Sequence, residues 1–323
     1  MILFNTTEDM EYLSYGLYTS ENFFSGSYQF FNTFFNQPVI ISNKITSCLY
    51  MFRGCNNLNQ PITIGNNVTN CYGMFQDCRN FNQPITIPNN VTDCFSMFDG
   101  CVNFNQPITI GNNVTNCSEM FDGCINFNQP ITIPNNITDC FSMFSQCSNF
   151  NQPITIPNNV TDCTWMFKNC RNFNQPIIIP NNVISCANMF SECYNFYQPI
   201  TIPNNVINCF GMFSDCRNFN QPITIPNNVT NCYGMFEYCT NFSNNIYFKT
   251  KDTSLNVEML LFSCNNSKRK NVYFNSVLDS KFNATSGFTT IVGKAVTWTP
   301  MSDGHGFYNT AFNVYCYNDY VPT

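Results

Sequence analysis

The stretch Asn82-Gln-Pro-Ile-Thr-Ile-Pro-Asn-Asn-Val-Thr-Asp-Cys-Phe-Ser-Met-Phe-Asp-Gly-Cys-Val-Asn-Phe104 is one of nine near-identical copies. The copies begin at Asn36, Asn59, Asn82, Asn105, Asn128, Asn151, Asn174, Tyr197 and Asn220, and the last closes at Phe242. Self-similarity at a fixed period of 23 residues is the mark of a solenoid, in which each unit buries its apolar face only against its neighbours. Such a chain presents long regular surfaces rather than a single enclosed pocket.

Within one copy, Ile85-Thr86-Ile87 alternates apolar, polar, apolar, which reads as a short strand with two residues facing inward. Asn89-Asn90 marks a turn, because Asn tolerates left-handed backbone and bonds its own main chain. From Val91 the apolar residues Cys94, Met97, Phe98, Cys101 and Phe104 fall at i+3, i+6, i+7, i+10 and i+13. That spacing predicts one face of a short helix. Asn70, Asp93, Asn116 and Asp139 stand where they would cap its start. The Met-Phe pair recurs from Met51-Phe52 to Met235-Phe236 and reads as core filling rather than as a cofactor site.

The run I-T-I-P-N-N-V-T-x-C-x-x-M-F-x-x-C-x-N-F-N-Q-P resembles the BspA-like leucine-rich repeats of bacterial and protist surface proteins. Its M-F-x-x-C-x-x-F-N-Q-P segment is closer to a related repeat abundant in mycoplasma surface proteins. The BspA-like pattern usually carries A-F-x-x-C where this chain has M-F-x-x-C. This repeat also has one residue more in the helical part and one fewer before the strand. The expected fold is therefore an α/β solenoid, a leucine-rich-repeat horseshoe or rod of strand-plus-short-helix repeats with a parallel concave sheet and a small β-rich C-terminal cap. The resemblance further implies adhesion or ligand binding at a surface.

The expected organisation is an N-terminal cap over residues 1–35, nine repeats over 36–242, degenerate repeats over 243–275 and a β-rich cap or attachment module over 276–323. Asn245-Ile-Tyr-Phe248 and Asn271-Val-Tyr-Phe274 read as two further strands, and Met259-Leu-Leu-Phe-Ser-Cys264 echoes the repeat. Alternation broken by Gly predicts short strands in Gly287–Gly293 and Lys294–Thr299.

Of the 20 cysteines, eighteen form the array pairs Cys48/Cys55 to Cys232/Cys239. Seven residues of helix rise about 10.5 Å, beyond the ~7 Å between Cα atoms that a disulfide tolerates. Both cysteines lie on the apolar stripe, where a free thiol behaves as a small hydrophobe. Two ladders of buried, reduced thiols are expected. C-x₆-C is not a zinc spacing, and the only histidine, His305, lies outside the array. No metal, cofactor or catalytic residue is expected, since no phosphate loop or nucleophile motif occurs, and the reading is not an enzyme.

Charged residues make up only 10 % of the chain and the net charge is −6, which disfavours nucleic acid as a partner. Lys249, Lys251 and Lys268-Arg269-Lys270 read as solvated turns. No uncharged apolar run is long enough to span a membrane. The residues from Met1 to Asp9 do not read as a secretory signal. The expected location is therefore cytoplasmic or in a virion, with a cell surface reached only by non-standard export.

Two surfaces are candidates for binding. The strands present one outward residue each, Ile40, Thr63, Thr86, Thr109, Thr132, Thr155, Ile178, Thr201 and Thr224, a uniform row suited to a repetitive ligand. The opposite, helical side carries Tyr50, Tyr72, Phe95, Phe141, Trp165, Phe210 and Tyr233, the large rings that anchor interfaces. The leading functional reading is a non-enzymatic binding or adhesion scaffold, displayed on a cell or particle, that recognises a host surface protein or glycan. The alternatives are a structural virion or appendage component, which contacts other subunits of a particle and uses the solenoid as a spacer, and an intracellular protein–protein interaction module.

Overall fold

A computed structural model describes residues 2–4, 27–264, 267–278, 299–302 and 306–318. The strands expected over 287–299, apart from Thr299, and His305 lie outside the described residues. The chain divides into two compact units, Met1–Val160 and Thr161–Thr323.

In the first unit, β1 (Ile2–Phe4), β2 (Val39–Ile41) and β3 (Ile62–Thr63) pair in parallel, and β4 (Ile85–Thr86) pairs in parallel with β5 (Ile108–Thr109). The register is one full copy: Ile40 lies beside Thr63, and Thr86 beside Thr109. Each strand follows Pro or precedes Pro or Gly, so it stays short. A second line of contact runs through single bridges between Ser47, Asn70, Asp93 and Asn116.

The expected helix is absent from the copies, and the described residues form a β-solenoid rather than an α/β one. Among the described residues the one helical segment is the single 3-10 turn Ser276–Leu278. Two positions in every copy carry left-handed backbone. One precedes Met (Tyr50 φ 51°, Ser96 φ 49°, Glu119 φ 57°, Trp165 φ 59°) and the other precedes the second Cys (Gly54 φ 74°, Asp77 φ 60°, Gly100 φ 71°, Gln146 φ 61°). Left-handed residues four apart cannot lie in a right-handed helix. The segment instead folds as overlapping β-turns, with Met51 N–H donating to Cys48 O, Arg53 to Tyr50 O and Cys55 to Phe52 O at 2.9–3.2 Å. The intervening N–H groups leave the coil: Cys48, Tyr50, Phe52 and Gly54 donate to Asn70, Tyr72, Met74 and Gln76 of the next copy at 2.8–2.9 Å. Tight turns with a three-residue step return side chains to one side every three residues, as an amphipathic helix does. Asn70 and Asp93 still accept from the N–H two residues on, Tyr72 at 2.8 Å and Phe95 at 3.0 Å, so they close Asx-turns rather than cap helices.

The core is a set of side-chain ladders. Phe52, Phe75, Phe98, Phe121 and Phe144 stack at 5.4–5.7 Å, and Phe81, Phe104, Phe127 and Phe150 run beside them at 5.8–6.1 Å. All twenty cysteines are buried and free. The two cysteine rows differ. In the second, Cys78 donates to Phe52 O at 2.9 Å and Cys101 to Phe75 O at 3.0 Å, each a carbonyl of the preceding copy. In the first row, Cys71 and Cys94 are 0 % exposed and pack without such a bond. The asparagines also bridge copies: Asn59 N–H donates to Asn36 Oδ1 at 2.9 Å, and Asn82 N–H to Asn59 Oδ1 at 3.0 Å.

The ladders begin before the first legible copy. Tyr28, Phe30 and Asn32 donate to Leu49 O, Met51 O and Arg53 O at 2.7–2.9 Å, and Phe30 stacks on Phe52 at 5.2 Å.

The second unit repeats this construction. Phe167, Phe190, Phe213 and Phe236 stack at 5.7–5.8 Å, and Cys216 donates to Phe190 O at 2.7 Å. Its last strands form a six-stranded sheet from β6 (Ile223–Ile225), β7 (Asn245–Phe248), β8 (Lys270–Tyr273), β9 (Thr299–Pro300), β10 (Gly306–Asn309) and β11 (Val314–Tyr317). The order is β6-β7-β8-β11-β10-β9, parallel as far as β11 and antiparallel beyond it. The antiparallel hairpin ends the stacking, and Pro300 stands on the edge strand, where a missing N–H costs least.

Two stability measurements check this architecture. Gly100→Ala places a Cβ at φ +71°, 2.8 Å from Asp77 Oδ1, and is expected to destabilise by about 1–2 kcal/mol in urea unfolding, the cost of a left-handed non-glycine residue. Cys101→Ser keeps a donor for Phe75 O, whereas Cys94→Ser buries a hydroxyl without an acceptor. The second substitution is expected to cost more by about 1–3 kcal/mol.

Candidate functional site

Thr63, Thr86, Thr109, Thr132, Thr155, Thr201 and Thr224 are all exposed, each between two buried isoleucines. In the same slot Ile178 is 85 % exposed, so hydroxyl and aliphatic groups share the outward row. Backbone alternation decides this placement: with Ile85 3 % and Ile87 2 % exposed, Thr86 must point away from the core.

The aromatic residues of the opposite side are largely engaged with one another. Tyr50 meets Tyr72 edge-on at 5.1 Å, Tyr72 stacks on Phe95 at 4.7 Å, and Phe210 stacks on Tyr233 at 5.3 Å. Tyr50, Tyr72, Phe95, Phe141 and Tyr233 are half-buried, while Phe210 and Trp165 are each 38 % exposed. Lys168 lies 5.4 Å from the Trp165 ring centre. These rings stand on a ladder of turns rather than on helices.

The same side carries an acidic group in the first unit. Asp99 accepts from Gln76 Nε2 at 2.7 Å, and Glu119 accepts from Ser96 Oγ at 2.9 Å. Burial, reinforced by the charges of Asp122, Asp77 and Glu119, pushes Asp99 up to about 6. Burial also raises Asp122. The thiols are raised for the same reason, Cys48 to about 12, so they remain protonated at neutral pH and carry no nucleophilic thiolate. Among the described residues no group of three or more His, Cys, Asp or Glu could hold a metal ion, and no helix is long and apolar enough to cross a membrane.

A third surface, not anticipated from the sequence, lies on the six-stranded sheet. Tyr247 occupies the slot of Thr224 on the neighbouring strand, and Tyr273 and Tyr317 continue that line. Their rings stack at 4.8 and 4.9 Å. Asn245, Asn271, Tyr315 and Tyr308 form a parallel line on the same face. The signal was present in the alternation Ile246-Tyr247-Phe248, Val272-Tyr273-Phe274 and Val314-Tyr315-Cys316-Tyr317. What the sequence could not supply was the register that aligns these strands.

Parallel coils joined by strand pairing and turn ladders, with one repeated row facing outward, define a β-solenoid. The family described as "Mycoplasma protein of unknown function, DUF285" matches residues 21–110, 69–181, 110–202 and 179–274. The chain belongs to this family. No match is found among curated proteins. Among solved structures the chain is similar to a leucine-rich cell surface protein from Faecalibacterium prausnitzii, at 16 % identity over 68 % of this chain and 80 % of that one, with a TM-score of 0.36. It is also similar to the pneumococcal vaccine antigen PcpA, at 12 % identity over 82 % and 68 % of the two chains, with a TM-score of 0.49. A leucine-rich repeat protein from Bacteroides ovatus aligns at 15 % identity over 79 % and 82 %, with a TM-score of 0.47.

The acidic group yields a pH prediction. The folded-state pKa of Asp99 lies above its ordinary value of 3.8, so the folded protein holds a proton that the unfolded chain releases. This contribution to stability is present below about pH 4 and is lost as pH rises through about 6. Asp99→Asn is expected to raise the melting temperature relative to the parent protein at pH 7 and to leave it nearly unchanged at pH 4. Paired thermal melts across that range would show the difference, and parallel curves would refute it.

Proposed function

We propose that this protein is a non-enzymatic binding scaffold that adheres through the outward row of its strands to a host surface protein or glycan. The observation that carries this reading is the row itself. One exposed Thr per copy recurs at Thr63, Thr86, Thr109, Thr132 and Thr155 in the first unit and at Thr201 and Thr224 in the second, although only Thr63, Thr86, Thr109 and Thr224 lie on paired strands. Beneath each row lies a core in which every array Met and Cys, and the Phe that follows each Met, is at most 2 % exposed. The row is thus held at fixed spacing, and little ordering cost remains to be met on binding. A regular display of small hydroxyl groups suits a partner that is itself repetitive.

The row is nearly free of packing duties, so it can be changed without harm to the fold. The double substitution Thr86→Glu, Thr109→Glu is expected to reduce adhesion of the purified protein to host-cell monolayers at least tenfold while shifting urea unfolding by less than about 1 kcal/mol. Adhesion that survives the change would remove the row from the function.

A further inference from the structure

We infer that the tyrosine face of the six-stranded sheet is a binding site for an acidic polysaccharide, with Arg269 receiving its carboxylates. The inference rests on the scaffold reading and specifies a site and a ligand chemistry within it.

Arg269 is the central observation. It is exposed, yet it is fixed on three sides. Its Nε donates to Asn271 Oδ1 at 2.8 Å, its Nη2 donates to Tyr317 Oη at 2.5 Å, and its guanidinium lies 3.9 Å from the Tyr315 ring centre. A guanidinium has five N–H donors, so most of them remain for a ligand. Arg269 forms no ion pair with a described carboxylate. Such a cation, held in one geometry on an aromatic platform, is arranged to accept a carboxylate at low entropic cost. Its surroundings are basic although the whole chain is acidic. Among the described residues of 243–318 there are five Lys and Arg (Lys249, Lys251, Lys268, Arg269, Lys270) and two Asp and Glu (Asp252, Glu258), so 5 − 2 = +3, whereas the whole chain carries −6.

The rest of the face selects a sugar over a peptide. Tyr247, Tyr273 and Tyr317 stack on one another at 4.8 and 4.9 Å, so they offer hydroxyl-tipped edges in a line rather than an apolar pocket for a side chain. That spacing is close to the rise of one pyranose along an extended polysaccharide. Asn245 Nδ2 donates to Tyr247 Oη at 2.7 Å, and Asn271 Nδ2 donates to Asn245 Oδ1 at 2.8 Å, a carboxamide row beside the hydroxyl row. The stack ends at Tyr317, whose partner on β10 is Gly306. A Cβ on Gly306 would strike the Cys316 carbonyl, so β10 places no side chain beside the Tyr317 ring, and a sugar ring can stack there. Tyr317 Oη already accepts from Arg269, which leaves its proton for a ligand oxygen.

The test is affinity electrophoresis and calorimetry of the full chain with polygalacturonate, with hyaluronan, with a neutral β-glucan and with polyglutamate. The acidic polysaccharides are expected to bind, with affinity falling as salt rises. Arg269→Gln should weaken them at least tenfold, Arg269→Lys should restore part of that loss, and the array control Arg79→Gln should change nothing. Thermal melts of the variants show whether the fold is intact. Absence of binding, equal binding of the neutral glucan, or insensitivity to Arg269→Gln overturns the proposal. Polyglutamate binding alone with the same sensitivity would assign the face to an acidic protein and also overturn it. Cell adhesion lost in Thr86→Glu, Thr109→Glu but untouched by Arg269→Gln would leave the scaffold reading standing and remove this site from it.

Discussion

Every feature of this protein depends on one constraint: each residue must stand beside its own copy in the next coil. A phenylalanine stacks on the same phenylalanine, as Phe98 does on Phe121 at 5.7 Å with planes 2° apart. A cysteine thiol reaches one fixed carbonyl, and a turn N–H meets the carbonyl of the following copy at 2.7–3.0 Å from Cys48 to Gly123. Where the last coil carries two extra residues, the ladder is kept: Gly234 N–H still donates to Glu258 O at 2.8 Å and Cys264 Sγ to Phe236 O at 3.0 Å, so the extra length is taken up between the paired positions. No coil is stable alone, because its turns satisfy only part of their hydrogen bonding internally and its apolar side chains need a neighbour on both sides.

That constraint also explains the composition. Asn is common not only because it forms turns, but because its carboxamide joins copies, as in Asn103 Nδ2 to Asn80 Oδ1 at 3.1 Å and Asn90 Nδ2 to Asn66 O at 2.7 Å. Charge is scarce because a charge repeated at every coil would face its own sign a few ångströms away. Where carboxylates do gather, at Asp77, Asp99, Glu119 and Asp122, burial first and the neighbouring charges second raise the pKa of Asp99. Cys is useful because it is small, apolar and able to donate to a buried carbonyl, so the second thiol row does more than fill space.

The outward surfaces are free of this demand. The Thr row varies only between Thr and Ile, whereas at the six-stranded sheet the same slot becomes Tyr247, Tyr273 and Tyr317. The core pattern persists below them in Ile246, Val272 and Cys316, all 0 % exposed. A rigid sheet thus continues while the chemistry it displays changes from small hydroxyls to ring edges, carboxamides and a fixed guanidinium.

The sequence by itself determined the period, the outward Thr row, the buried Met, Phe and Cys, and the free state of the thiols. These follow from spacing and alternation, which act locally and identically in every copy. It misread Val91–Phe104 as helical, because turns with a three-residue step and an amphipathic helix place apolar side chains at nearly the same positions. Glycines at Gly73, Gly211 and Gly234 before Met, and at Gly54, Gly100 and Gly123 before Cys, were the available warning, since each would cost a helix about 1 kcal/mol. Only the tertiary structure decided where the backbone hydrogen bonds go, because an N–H can turn to its own coil or to the next. Only it could align Tyr247, Tyr273 and Tyr317 in one row with Arg269 bonded to its Tyr317 end, because strands far apart in sequence become neighbours through register, which no single strand encodes.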